Sequence, residues 1–174
     1  LAEVPMGTTL KTVINKLGGG MPKGSTLKAI AIGGPPAGVL PASLANTPID
    51  FDELWKAGSM LGSGGMIVMD DTNCMVDITK FFLKFLQEES CGRCFPCREG
   101  IKRMHEIVDG ISLAIGKPEH LVLLQELVDC LSQTALCDLG KSAPNTVRSA
   151  LRHFKEEFET HIQQEKCTAK RCTM

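Results

Sequence analysis

Glu89-Ser90-Cys91-Gly92-Arg93-Cys94-Phe95-Pro96-Cys97-Arg98-Glu99-Gly100 carries two successive C-x2-C spacings, and Cys137 follows 40 positions after Cys97. That spacing puts three sulfurs on one tight loop, and a cubane iron–sulfur cluster takes its fourth ligand from elsewhere in the fold. The expected ligands of a [4Fe-4S] cluster are therefore Cys91, Cys94, Cys97 and Cys137. Gly92 lets the backbone turn so that neighbouring thiolates converge, and Pro96 stiffens the loop. A helix predicted to start just after Cys97 would turn its positive end toward a negative cluster, with Arg93 and Arg98 adding cationic charge. Cys137 stands just before a further predicted helix. Cys130 competes for the fourth place but falls on the apolar face of a predicted helix, where it reads as a buried structural thiol. Zinc knuckles are the other use of such thiols, yet they usually pair one C-x2-C with a second pair or with histidine.

Working outward, the chain divides near 72–76. Residues 1–71 are rich in Gly, Pro and Ala and alternate short elements. Leu10, Val13, Ile14 and Leu17 share a helical face that ends at three glycines, 18–20. Residues 27–32 and 66–69 read as buried strands, and 50–57 as a short helix capped by Asp50 or Asp52. These pieces predict a small α+β unit. Residues 77–163 read as four helices joined by short links, hence a bundle. Ile78, Phe81, Phe82, Phe85 and Leu86 recur at helical spacing behind Asp77 as a cap. The later helices are expected over 98–109, 118–131 and 143–163, the last with Ser142 as its cap. Residues 164–174 form a charged, cysteine-containing tail.

With 174 residues and 43% apolar content, the chain can bury a real core. Its net charge of −1 supplies no basic footprint for nucleic acid. No apolar run is long enough to span a membrane. Eight cysteines in these spacings suit metal chemistry in a reducing compartment better than a secreted disulfide scaffold, so a cytoplasmic location is expected. The start at Leu1 reads as that of a fragment.

The cysteine loop, with Cys137 ahead of Phe154-Lys155-Glu156-Glu157-Phe158, resembles the flavin subunit of NADH:quinone oxidoreductase. The same subunit type occurs in soluble NAD(P)-linked iron hydrogenases and NAD-linked formate dehydrogenases. Upstream, Pro5-Met6-Gly7-Thr8-Thr9-Leu10, Gly33-Gly34-Pro35 and Gly62-Ser63-Gly64-Gly65-Met66-Ile67-Val68-Met69-Asp70 resemble that family's ubiquitin-like β-grasp module, of SLBB type. The resemblance implies an α+β chain: the β-grasp module over 1–71, a junction at 72–76, and a helical cluster-binding domain over 77–163. The family's glycine-rich flavin motif is absent here, so the FMN and NAD(P) sites are expected outside this chain. The implied role is to pass single electrons from FMN to iron–sulfur clusters in partner subunits. The implied partners are the subunit's own FMN domain and those iron–sulfur subunits. A ligand- or partner-docking module without redox chemistry is the competing expectation.

The tail adds His161, Cys167 and Cys172 as H-x5-C-x4-C, a stretch that resembles the soluble hydrogenase type. Cys74, at the junction, completes a Cys3His set of the kind used by structural zinc. Free thiols in a linker are the alternative reading. His105, His120 and His153 read as exposed or structural, and Glu156, Glu157 and Glu159 as a solvated helix face.

Overall fold

The computed structural model describes residues 1–174 and is α+β, a small sheet set against helices. Thr9 caps α1 (Leu10–Thr12) by accepting from the Thr12 amide at 3.2 Å, and the helix continues as a π-helical stretch over Val13–Leu17. Strand β1 (Leu27–Ile32) is central. It pairs antiparallel with β2 (Val39–Pro41) on one side and β3 (Met66–Asp70) on the other. A bulge between Leu27 and Ala29 interrupts the second ladder. Between the strands, Asp50 caps α2 (Phe51–Ala57), and Gly58, in the left-handed region at φ +88°, ends it. Strand β2 escapes a sequence reading because it is three residues long and lies inside a Gly/Pro-rich stretch.

The two faces of the sheet serve two cores. Ile30, Ile32 and Leu40 pack with Leu10, Ile14 and Leu54. Ala29, Ala31, Val39 and Met69 instead join the helical core built on Phe82, Ile101, Met104, Val128, Val147 and Phe158. Alternation along the strands thus splits one sheet between both halves of the chain. The chain crosses close to Ser149 at Gly38, where a methyl group would meet the hydroxyl, and Ser149 Oγ accepts the Val39 amide at 2.9 Å.

Four long helices follow: α3 (Met75–Glu89), α4 (Phe95–Ser112), α5 (Pro118–Thr134) and, after the short α6 (Asp138–Ser142), α7 (Asn145–Gln163). Several details differ from expectation. Cys74, not Asp77, precedes α3, which buries Met75, Val76, Thr79, Phe82, Leu83 and Leu86. The inward face is therefore rotated, leaving Phe81 63% and Phe85 41% exposed. Helix α4 begins before Cys97 rather than after it, with Pro96 in its first turn. Ser142 belongs to α6, and Pro144 stands at the start of α7. No helix is long and apolar enough to cross a membrane.

Helices α4 and α5 touch where Gly100 faces Leu131, and a methyl group on Gly100 would sit 2.1 Å from Leu131 Cδ1. Gly110, in the same helix, has only Ile115 side-chain atoms at 3.5 Å and beyond. Gly100→Ala is expected to destabilise by about 1–3 kcal/mol through overpacking. Gly110→Ala is expected to be neutral or to stabilise by up to about 1 kcal/mol, since alanine is the better helix former. Thermal unfolding of the two variants checks the opposite signs.

Candidate metal centres

Two turns meet at one end of the helices. The first leads from α3 to α4 through Ser90 and Gly92; the second leads from α5 to α6 through Leu136 and Cys137. Gly92 adopts φ +71°, which favours glycine, and its amide donates to Ser90 Oγ at 3.3 Å. Ser90 Oγ also lies 3.4 Å from Cys97 Sγ. Cys94 precedes α4, and Cys97 is in its first turn. Cys91, Cys94, Cys97 and Cys137 thereby line one cavity of about 120 Å³, together with Glu89, Ser90, Arg93 and Leu139. Cys97 is buried, Cys94 half-buried, and Cys91 and Cys137 exposed.

The environment already favours thiolate at part of this site. Backbone N–H groups of Leu136 and Cys97 hold the Cys94 thiol below its ordinary pKa. Burial pushes Cys97 up, opposed in part by the Ser90 hydroxyl. Sulfur-only donors, amides aimed at sulfur and the positive end of α4 are the chemistry an iron–sulfur cluster requires. Gly140 backs the cavity: a methyl group there would lie 2.7 Å from Ala135 Cβ and 3.3 Å from Cys97 Sγ. Cys130 lies apart from these four. It is exposed on α5, with Thr134 Oγ1 3.8 Å from its sulfur, so the expectation of a buried thiol is corrected. The apolar face of α5 is carried by Leu124, Val128 and Leu131 instead.

The second cluster joins the start of α3, the end of α7 and the tail. The ligand atoms of Cys74, His161, Cys167 and Cys172 all lie within 4.8 Å of one another. Cys74 Sγ and Cys172 Sγ are 3.7 Å apart, and His161 Nε2 is 3.3 Å from the first and 3.4 Å from the second. A tetrahedron with Zn–S near 2.3 Å and Zn–N near 2.1 Å has edges of about 3.6–3.8 Å, so the donors fit a four-coordinate zinc ion. His161 is 1% exposed, and its Nδ1 lies 2.7 Å from the Glu157 carbonyl. A carbonyl only accepts, so Nδ1 carries the proton and Nε2 presents its lone pair to the thiols. Burial pushes Cys74 up to about 11 and raises Cys172 as well. Burial also opposes ionisation of Cys167, yet the amides of Cys172 and Arg171 bring it down to about 6.

Glu157 corrects the expectation of a solvated face. Its Oε2 accepts the Met75 amide at 3.0 Å, and its Oε1 pairs with Lys28 Nζ at 2.8 Å. Both side chains of that ion pair are less than one-fifth exposed. One residue thus links the sheet, the first turn of α3 and the His161 ring. Arg171 fastens the tail by donating to the Thr72 carbonyl at 3.1 Å. Neither role has a sequence signal, because both depend on a side chain meeting backbone about 80–100 positions away. Ser90 and Gly140 had one available, as each stands next to or near a motif cysteine. A cavity of about 620 Å³ between α5 and α7 contains none of these thiols.

Residues 77–161 match the NADH-ubiquinone oxidoreductase-F iron-sulfur binding region. The chain is 44% identical over 173 residues to the NADP-reducing hydrogenase subunit HndC of Solidesulfovibrio fructosivorans, covering 99% of this chain and 35% of that protein. It is 38% identical over 167 residues to the F 2 subunit of NADH-quinone oxidoreductase in Rhizobium meliloti (strain 1021), covering 96% of this chain and 40% of that protein. The fold is similar to a chain of NAD+-reducing [NiFe]-hydrogenase in the air-oxidized state, with a TM-score of 0.80 and 28% identity. That likeness covers 92% of this chain and 27% of the hydrogenase chain. The chain thus spans little more than a third of the length of these curated relatives.

Lys28→Met leaves the Glu157 carboxylate nearly buried with only the Met75 amide. Stability is expected to fall by about 1–3 kcal/mol, the penalty for an unsatisfied buried group. Adding Glu157→Gln should recover part of that loss in urea unfolding.

Proposed function

We propose, from the match of residues 77–161 to the NADH-ubiquinone oxidoreductase-F iron-sulfur binding region, that this chain is the electron-carrying part of an NAD(P)H-linked oxidoreductase flavin subunit. The supporting observation is the convergence of four cysteines from two separate turns on one cavity. In this reading residues 1–71 are the β-grasp module, 72–76 the junction, 77–163 a four-helix bundle that holds the cluster, and 164–174 the tail. FMN and NAD(P) bind in the remainder of the subunit, the partners are other iron–sulfur subunits, and the location is cytoplasmic.

Cys91, Cys94, Cys97 and Cys137 would hold a [4Fe-4S] cluster, one iron each, and the chemistry it would supply there is one-electron transfer between flavin and partner clusters. The amides of Leu136 and Cys97 and the α4 terminus offset the thiolate charge. Leu139 and Gly140 close the inner wall, while exposed Phe95 and Leu136 flank the outer side. A docking role without redox chemistry leaves the four-thiol cavity unexplained.

The Cys74, His161, Cys167 and Cys172 set is read as structural zinc, which a closed Cys3His site suits. Held this way, the tail is tied to the first turn of α3. His161 is oriented for the task by Glu157, and Cys167 is ready as thiolate at neutral pH.

Anaerobic purification should return about four iron and four acid-labile sulfide per chain, from one cubane cluster. Cys137→Ser should lose most of that iron and Cys130→Ser none. A colourless protein with zinc and no iron overturns the electron-carrying reading. Cys167→Ser should lose the zinc and keep the iron; unchanged zinc content overturns the second site.

A further inference from the structure

We infer that Arg98 is a positioning residue that closes the cysteine loop and favours the reduced state of the centre. The inference rests on the reading of residues 91–97 and 137 as a cluster site. Residues 91–93 make no backbone–backbone hydrogen bonds, although they carry one thiol and precede another. Two side chains restrain them instead. Ser90 Oγ accepts the Gly92 amide at 3.3 Å, and Arg98 Nη1 donates to the Gly92 carbonyl at 2.7 Å. The Gly92 residue, at φ +71°, is held at both of its polar groups. Arg98 stands in α4, beyond Cys97, so its side chain reaches back over the loop and ties the Cys91 side to the helix carrying Cys97.

The guanidinium makes three contacts at once. Its Cζ lies 5.9 Å from the centroid of the Phe95 ring, its Nε donates to Glu99 Oε1 at 2.8 Å, and Nη1 takes the Gly92 carbonyl. A planar, five-donor fork can do this; a lysine ammonium is a compact charge on a flexible stem and lacks the flat face that stacks on Phe95. The charge has a separate consequence. A cation held on the Gly92 carbonyl, in the loop between Cys91 and Cys94, stabilises the state carrying the extra electron. The effect is damped, because Arg98 is about half exposed and paired with Glu99. Arg93 and Glu89 line the cysteine cavity itself with opposite signs, whereas Arg98 and Glu99 pair outside its lining and are the pair to vary.

The test uses the full-length subunit, purified anaerobically, with iron content read before anything else. Wild-type protein without iron removes the cluster reading and this inference with it. With iron present, Arg98→Gln is expected to lose it to a chelator about tenfold faster than wild type. Its reduced-to-oxidised ratio at a fixed ambient potential is expected to fall about threefold, or ~28 mV at ~59 mV per tenfold for a one-electron couple. Arg98→Lys should restore the ratio but not the retention, and Glu99→Gln should raise the ratio. Should Arg98→Gln fold but hold no iron, Arg98→Lys still reads retention and Glu99→Gln still reads charge. Wild-type retention in both Arg98 variants overturns the closing role. An unmoved or lowered ratio in Glu99→Gln, or a ratio in Arg98→Lys as low as in Arg98→Gln, overturns the charge effect.

Discussion

Negative sulfur has to be stabilised wherever this fold withdraws it from water, and most of the local architecture around the cysteines answers that constraint. A buried thiolate is costly unless amide dipoles, cations or a metal face it. Both thiol clusters sit where chain segments end, because helix starts and turns expose unpaired amides that elements in mid-course do not. Cys74 precedes α3, Cys94 precedes α4 and Cys137 precedes α6. Cys167 is covered by amides of the tail's own turn. A cysteine displaced by half a turn into a helix interior would lose those donors.

The same economy appears in how the clusters are supported. The 91–97 loop has little backbone bonding of its own and leans on Ser90, Arg98 and the bare Cα of Gly140. The junction set leans on Glu157, whose carbonyl orients His161 and whose carboxylate gathers Lys28 and Met75. These contacts restrict the movement available to the thiols and to the His161 ring. The shared core has a matching effect on a larger scale. Because Ala29, Ala31, Val39 and Met69 pack with the helices, the sheet is part of the platform that carries the cysteines.

How far the sequence could be read differs by element. The cysteine triplet, the strand at 27–32, all but the last residue of the strand at 66–70 and the start of α5 follow from local spacing and punctuation. The rotation of α3 does not, because its phenylalanines satisfy a helical period on two adjoining faces. Helix α3 lies against both α4 and α7, and that packing selects the face with Phe82 and Leu86 and leaves Phe81 and Phe85 outside. Likewise α4 starts earlier than its apolar period suggests, since Phe95 opens the helix yet points to solvent.

What the sequence by itself determined is the donor chemistry: which thiols share a loop, which residue types flank them, and that Cys74, His161, Cys167 and Cys172 suit a tetrahedral ion. Those are properties of spacing and side-chain type. The tertiary structure alone decided that Cys130 is exposed rather than buried, and that Glu157 orients His161. The physical reason is that both outcomes are set by how helices pack against one another. Local pattern places Cys130 within a helix and Cys137 in the turn that follows it, but it does not record which face of α5 the neighbouring helices cover.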